Sequence, residues 1–212
     1  MFYNVSKRFF DLLFSIVLLI FFSPILLITI VAIKLNSPGP IFADTPPRVG
    51  KNGRQFRMYK FRSMVQNAHD ILTTDPKYKH LFEEYKKSGY KLRNDPRITK
   101  VGRFIRKYSI DEMPQFVNVI MGDMSIVGPR AYYHDELRDQ QKKFPHTKQA
   151  VKVVLSVKPG ITGVWQVSGR SDIKFDTRIQ LDADYAIKRS IIYDFYLIFR
   201  TPFAMLSGKG AL

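Results

Sequence analysis

The sequence predicts an α+β protein: a mostly helical single domain with a small β-hairpin or sheet, joined to an N-terminal re-entrant membrane helix broken at Ser23-Pro24. Three observations carry this expectation. Leu12 to Ile33 is a run of 22 uncharged residues, mostly Leu, Ile, Val and Phe, and about 20 apolar residues suffice to cross a bilayer as a helix. Asn52-Gly53, a strong two-residue hairpin signal, stands between two short runs with strand character. Further on, apolar residues recur at helical spacing in several short segments parted by proline and glycine.

Charge narrows the function classes. The 212 residues hold 34 Lys and Arg against 18 Asp and Glu, a net charge of +16, and no cysteine. A disulfide framework, a cysteine-ligated metal and a thiol nucleophile are therefore excluded. With 45% hydrophobic residues, 17 Phe and 11 Tyr, the chain has the material for a packed core. The positive balance calls for an anionic partner: nucleic acid, an anionic membrane surface or phosphate-bearing substrates. Residues 34–212 carry +15 of the charge, so it belongs to whatever follows the apolar run.

The first element is the membrane segment, residues 1–36. A buried core helix is the bland alternative, but the run is long for one. It is also longer than a signal-peptide core and lacks a small-residue cleavage site close behind it. Lys7 and Arg8 precede the run and Lys34 follows it. Positive flanks prefer the cytosolic side, and here both flanks are positive. Pro24 removes a helical hydrogen bond near mid-run. A helix that enters, breaks and leaves on the same face satisfies both flanks, and is preferred to a spanning one. Each half of roughly 16 Å is about half of a ~30 Å hydrocarbon core.

Residues 37–212 are expected to form a cytosolic catalytic domain with interfacial amphipathic helices. Pro38-Gly39-Pro40 breaks the chain, and residues 48–61 read as a hairpin loaded with Arg48, Lys51, Arg54, Arg57, Lys60 and Arg62. Those cations mark either a solvated strand face or a phosphate contact. Residues 66–92 read as two short helices parted by Asp75-Pro76, followed by a turn at Asn94-Asp95-Pro96 and a helix from Ile98 to Tyr108. A helix over 132–151, a strand from Val153 to Val157 and a helix over 176–200 that ends at Thr201-Pro202 complete the pattern. The last carries Ile187, Ile191, Ile192, Phe195, Ile198 and Phe199 on one face. That face packs on a core or lies in a membrane interface.

The candidate chemistry lies between Arg106 and Arg130. In the run Ser109-Ile110-Asp111-Glu112-Met113-Pro114, Ser109 and Glu112 fit a capping box. Pro114 argues instead for Asp111 as the N-cap, because the missing N–H then falls in the first turn. Asp111 would sit at the positive end of a helix, with Arg103, Arg106 and Lys107 upstream. Ser125-Ile126-Val127-Gly128-Pro129-Arg130 reads as a short strand ending in a rigid turn that presents a guanidinium. Together these parts suggest phosphoryl transfer, with a carboxylate nucleophile, arginines for the developing charge and a hard divalent cation on a diphosphate. No Walker loop, His-rich cluster or Ser-His-Asp signature competes.

Five ordered motifs make the resemblance specific: Tyr59-Lys60-Phe61-Arg62-Ser63-Met64; Asp95-Pro96-Arg97-Ile98-Thr99 with Val101-Gly102-Arg103; Asp111-Glu112-Met113-Pro114-Gln115; Gly122 to Arg130; and Lys158 to Gly163 with Gln166-Val167-Ser168-Gly169-Arg170. The chain resembles the monotopic phosphoglycosyl transferases over nearly its whole length. The resemblance implies transfer of a sugar-1-phosphate from a UDP-sugar to polyprenyl (undecaprenyl) phosphate, with release of UMP, at the start of bacterial surface glycan synthesis. It implies Asp111 as nucleophile, Glu112 as catalytic partner and Mg2+ ligand, and Arg106 and Arg130 as contacts to anionic substrate. Lys60 and Pro129 complete the expected substrate-binding set. It also implies a monotopic protein of the bacterial inner membrane, its catalytic domain on the cytoplasmic leaflet, with no nucleic-acid partner and with a homodimer admitted. Relatives with long N-terminal extensions exist, and this chain reads as the minimal catalytic form.

Two departures stand out. Ala43-Asp44-Thr45-Pro46-Pro47 precedes Arg48, where a Lys-Gln pair is common, and Ala131 replaces the second proline of the family's Pro-Arg-Pro. Gly163 to Arg170 looks more like the members that handle galactose or glucose. The alternative from another class is a membrane-tethered basic scaffold, or a nucleic-acid or phospholipid binder without catalysis. The cations here, however, cluster around carboxylates, which nucleic acid would avoid.

Overall fold

The computed structural model describes residues 2–87, 92, 95–169 and 173–206. The expected turn residue Asn94 and motif residue Arg170 lie outside the described residues. The chain is mostly helical and divides into two compact units that interleave in sequence. One comprises Met1–Phe21, Pro46–Met58 and Gln115–Ala211; the other comprises Phe22–Thr45 and Tyr59–Pro114, with Leu212.

Helix α1, Phe2–Asn36, runs through both units as one element of 35 residues. It is long and apolar enough to cross a membrane, and only 11% of its most apolar window is buried inside the protein. Phe9, Leu13, Ile16, Val17, Ile20, Phe21, Leu27, Ile28 and Val31 are exposed along it, the expected surface of a helix made for lipid. The helix runs on through Ser23-Pro24, so the expected break gives way to a proline inside a continuous helix. A single missing N–H removes one rung, and the turns on either side keep theirs.

The larger unit holds both sheets. Strands β1 (Arg48–Val49) and β2 (Gln55–Phe56) pair antiparallel, Arg48 opposite Phe56, across the turn at Asn52-Gly53. Asn52 and Gly53 take left-handed backbone angles, φ 57° and 79°, which these two residue types tolerate best. The expected hairpin is present, though shorter than residues 48–61. Strand β3 (Ser125–Val127) follows helix α5 (Gln115–Met121), and β4 (Tyr132–Tyr133) pairs with β1. Strand β5 (Gly160–Thr162) runs parallel to β3.

Three expectations about this unit are corrected. The helix over 132–151 divides into α6 (His134–Lys143), a 3-10 turn Pro145–Thr147 and α7 (Lys148–Val154). Val153 to Val157 is not a strand: α7 holds Val153 and Val154, and the strand begins beyond Pro159 at Gly160. Pro145 sets the first break, and the apolar run 153–155 serves a helix whose inner face is Val151 and Val154. Helix α8 (Val164–Ser168) follows. The expected helix over 176–200 is two helices, α9 (Phe175–Lys188) and α10 (Ile191–Leu206), and Pro202 lies inside the second rather than ending it. Their apolar face divides as well. Leu197 is buried and Phe195 packs against Phe10 and Phe14, whereas Ile187, Ile192, Phe199 and Phe203 are exposed.

The start of α1 is built into this unit through polar contacts. Arg8 donates through Nη1 to the Val119 carbonyl at 2.6 Å and through Nη2 to the Ile120 carbonyl at 2.9 Å, where α5 runs out of internal donors. Asp11, buried, accepts from Ser125 Oγ at 2.7 Å and from the Ile126 N–H at 3.0 Å. Lys7 reaches Asp194 on α10 at 2.8 Å.

In the smaller unit, helices α2 (Ala68–Thr74) and α3 (Lys79–Lys87) flank a 3-10 turn, Pro76–Tyr78, that starts at Asp75-Pro76 as expected. Helix α4 (Lys100–Lys107) is capped by Thr99, whose Oγ1 accepts from the Gly102 N–H at 2.8 Å. Ile33, Phe61 and Ile105 form the core, with Leu26, Ile30, Ile41, Val101 and Ile110 against it. Arg62 donates to the carbonyls of Ser37, Pro38 and Pro40 at 2.9, 2.6 and 2.7 Å, fixing the exit from α1.

Close backbone approach explains two glycines. A Cβ on Gly160 would stand 2.0 Å from the Gly128 nitrogen, and one on Gly102 would stand 1.8 Å from the Ser63 carbonyl oxygen. Gly160→Ala forces β3 and β5 apart and should cost about 2–4 kcal/mol, by the scale of overpacked sites. A melting transition in detergent unchanged from wild type would contradict that packing.

Candidate active site

The acidic pair sits on a short 3-10 turn, Ile110–Glu112, in the smaller unit. Neither capping reading of this segment is realised. Ser109 adopts a left-handed conformation, φ 54°, and its side chain makes no cap bond, so there is no capping box. Asp111 lies within the turn, and α5 begins only at Gln115, directly after Pro114. Asp111 is therefore not the N-cap of a helix.

Asp111 is held otherwise. The Phe61 N–H donates to its carbonyl at 2.9 Å, tying the turn to the segment that carries Lys60. The Asp111 side chain is 2% exposed as a residue, and Lys60 Nζ stands 3.0 Å from its Oδ2. The same ammonium donates to Glu112 Oε1 at 3.2 Å. One lysine thus bridges both carboxylates, a deeply buried one and one on the rim. Arg106, in the last turn of α4, adds its positive field to both Lys60 and Asp111. Asp111, Glu112, Lys60 and Arg106 are brought together in this unit.

The electrostatics follow from that placement. Burial pushes the Asp111 carboxyl above its ordinary range, the Lys60 charge pulls it back, and the adjacent Glu112 carboxylate adds to the rise. Burial acts to lower the Lys60 ammonium, but Asp111 and Glu112 outweigh it and the net direction is upward. Lys60 is therefore the charge that counters the cost of ionising Asp111 in a desolvated place, although the net direction stays upward. A carboxylate shielded from bulk water is poorly hydrated, which favours attack on an electrophile.

Pro129 and Arg130 belong to the other unit. Arg130 follows β3 as expected, and its guanidinium lies 5.1 Å from the Trp165 ring and 5.8 Å from that of Tyr132. Its Nη2 stands 3.8 Å from Glu136 Oε2 on α6. Glu136 also accepts from Arg178 Nη2 on α9 at 3.1 Å. The Arg130 N–H donates to Asp182 Oδ2 at 3.0 Å. Glu136, Arg178 and Asp182 escaped the reading of the sequence. The spacing of Arg178 and Asp182, i and i+4 on an otherwise apolar inner helix face, was the signal available.

A family model described as bacterial sugar transferase matches residues 2–208. The chain belongs to the bacterial sugar transferase family. It is 38% identical to the exopolysaccharide production protein ExoY of Sinorhizobium fredii, across 98% of this chain and 88% of that protein. It is 42% identical to an undecaprenyl-phosphate galactose phosphotransferase of Salmonella typhimurium, across 97% of this chain and 41% of the relative. A UDP-glucose:undecaprenyl-phosphate glucose-1-phosphate transferase of Escherichia coli is 36% identical, with 98% and 42% covered. The chain thus spans about two fifths of the length of the latter two relatives and most of the first. The family, its transferase class and its association with membranes agree with the resemblance and with α1.

Lys60→Met leaves Asp111 buried beside Glu112 without the bridging cation. The Asp111 pKa then rises further, so transfer at neutral pH falls by about tenfold or more and recovers as the pH is raised. The acid limb of the rate–pH profile measures this, and a limb that stays in place would show that Lys60 does not set the charge of Asp111.

Proposed function

We propose that the protein transfers a sugar-1-phosphate, galactose or glucose, from a UDP-sugar to a polyprenyl phosphate such as undecaprenyl phosphate, through a covalent intermediate on Asp111. The observation that carries this reading is the buried Asp111 carboxylate ion-paired to Lys60 in a chain of the sugar transferase family. In the first step an Asp111 oxygen bonds to the sugar-bearing phosphorus, the bond to the bridging oxygen breaks, and UMP leaves with the electron pair. In the second, an oxygen of the lipid phosphate attacks the same phosphorus, giving polyprenyl-diphosphate-sugar and returning Asp111 as a carboxylate. Arg106 and Lys60 stand beside Asp111 where charge develops on the phosphoryl oxygens. Arg130, preset by Pro129, offers a bidentate contact to an anionic substrate.

A magnesium ion fits these residues only as a shared ligand. Among the described residues no three His, Asp or Glu side chains form a cluster, and Mg2+ is often held by one or two carboxylates plus substrate phosphates. Glu112, the more exposed member of the pair at 37% of its side chain, is the carboxylate we assign to it. Bound there, the ion would supply neutralisation of the diphosphate.

The same reading puts the protein on the inner leaflet of a bacterial membrane. Exposed Ile192, Phe199 and Phe203 on α10 add an apolar surface in the unit that holds the start of α1. The +15 charge of residues 34–212 favours an anionic surface. Entry and exit of α1 on that face would keep both positive flanks in the cytoplasm.

Asp111→Asn should abolish both UMP release and covalent labelling by radioactive UDP-galactose or UDP-glucose; label retained on that variant would exclude Asp111 as nucleophile. Glu112→Gln should lower the rate by about a hundredfold, on the scale of lost metal or acid–base contacts, and flatten its magnesium dependence. Full activity of this variant in a chelator would remove the metal role.

A further inference from the structure

The turn Gly128-Pro129-Arg130-Ala131 is clamped group by group. The Gly128 N–H donates to the Thr162 carbonyl at 2.9 Å, and the Pro129 carbonyl accepts from the Gly160 N–H at 2.8 Å. The Ala131 carbonyl accepts from Arg48 Nη1 at 3.1 Å. The remaining clamp is the Asp182 carboxylate, which takes the Arg130 N–H at 3.0 Å and the Tyr132 hydroxyl at 3.3 Å on one oxygen. Its other oxygen, Oδ1, is buried with no hydrogen-bond donor among the described residues. Asp182 is 0% exposed. Of the four clamps, it alone has an acceptor that gains or loses a proton.

We propose that Asp182 is the positioning residue for Arg130, its carboxylate holding the turn so that the guanidinium faces an anionic diphosphate substrate, and that protonation of Asp182 loosens this hold. This rests on the reading of Arg130 as a contact to that substrate. The ionised form accepts two hydrogen bonds strongly, while the acid form accepts weakly and must place a proton where no partner waits. Burial pushes the Asp182 carboxyl up to about 7, with the Arg130 N–H, Arg178, Tyr132 and the Arg130 charge pulling the other way. The hold therefore changes within the physiological range. Folding opposes ionisation of this group: between the ordinary carboxylate range and about 7 the unfolded chain has already released the proton that the folded chain keeps, so stability falls as pH rises there.

The surroundings isolate the effect. Arg178 on α9, Arg130, Glu136 on α6, which holds both arginines, and the buried Arg48 of β1 on the Ala131 carbonyl are the charged groups of the cluster. The remaining α6 charges, His134, Asp135, Arg138, Lys142 and Lys143, lie at the surface, Asp139 at its margin. On α7 and the preceding 3-10 turn, Lys148, Lys152 and His146 are exposed, and α8 has no titratable side chain. His69 and His80 are exposed as well.

Equilibrium binding of UDP-galactose or UDP-glucose to the full-length protein in detergent tests the proposal without turnover, in an Asp111→Asn background. The diphosphate diester does not titrate between about pH 6 and about pH 8, so any step belongs to the protein. Affinity should tighten about tenfold across that interval. Asp182→Asn should bind about tenfold more weakly at the upper end and show no step. Tyr132→Phe, which leaves the carboxylate and the Arg130 N–H in place, should keep the step, with melting temperatures recorded for all variants. A step that survives in a folded Asp182→Asn protein overturns the proposal. Should Asp182→Asn fail to fold, a missing step in Tyr132→Phe or in wild type overturns it equally. Arg130→Gln separates the two layers. If it weakens binding while Asp182→Asn does not, the positioning role alone falls. If it leaves binding unchanged, the reading of Arg130 falls and takes the positioning role with it.

Discussion

The structure depends on hiding carboxylates in a chain that is strongly cationic. Among the described residues six acids are buried, Asp11, Asp95, Asp111, Glu136, Asp182 and Asp194, against four of the far more numerous bases. The basic side chains therefore make the surface and the acids make the interior joints. A buried carboxylate survives only with donors or a cation in contact, and each of these six has them. Asp95 pairs with Arg97 Nε at 2.7 Å, Asp111 with Lys60, Glu136 with Arg130 and Arg178. Asp194 accepts from the Tyr185 hydroxyl at 2.6 Å and from Lys7, and Asp11 from β3. Removing one partner at any of these joints leaves a charge in a desolvated place, so the interior tolerates little revision there.

The same rule makes the N-terminal helix more than an anchor. Its apolar surface faces outward along its length, but Lys7, Arg8 and Asp11 turn inward on successive turns to Asp194, the carbonyl end of α5 and the edge of β3. Arg8 supplies donors at a helix C-terminus, where backbone carbonyls and the macrodipole both favour a cation. Lys7 and Arg8, two of the three positive residues that read as topology signals in the sequence, are thus packing residues of the larger unit. A charge can serve both ends, because the inward face of the helix is a protein surface and the outward face a lipid one.

What was legible in the sequence follows from how local each feature is. The apolar run, the Asn52-Gly53 turn, the helix that follows Asp95-Pro96 and the grouping of Lys60, Arg106, Asp111 and Glu112 were reached from spacing or motif, because short-range chemistry specifies them. The strand expected at 153–157 failed because β-branched residues also build a buried helix face when tertiary packing favours it. The helix over 176–200 divided at residues 189–190, where no proline or glycine marks the break. The N-cap expected at Asp111 failed because Ser109 takes a left-handed turn and lets the segment close as 3-10 instead. Glu136, Arg178 and Asp182 were invisible as a group: they come together only through α6 and α9, and nothing in one sequence ties residues that far apart.

The two carboxylates nearest the proposed chemistry illustrate how one environment assigns different tasks. Asp111 and Glu112 are neighbours and share Lys60, yet Asp111 lies at 3% side-chain exposure and Glu112 at 37%. The buried member is shielded from bulk water and its charge depends on one ammonium, which suits a group that must form and release a bond to phosphorus. The rim member keeps access to solvent and to ions, which suits a ligand that meets the substrate's diphosphate as it arrives. Exchanging the two residue types would shorten the rim side chain and lengthen the buried one, misplacing both oxygens relative to Lys60. The order Asp then Glu is therefore a geometric requirement of a single lysine serving two acids at different depths.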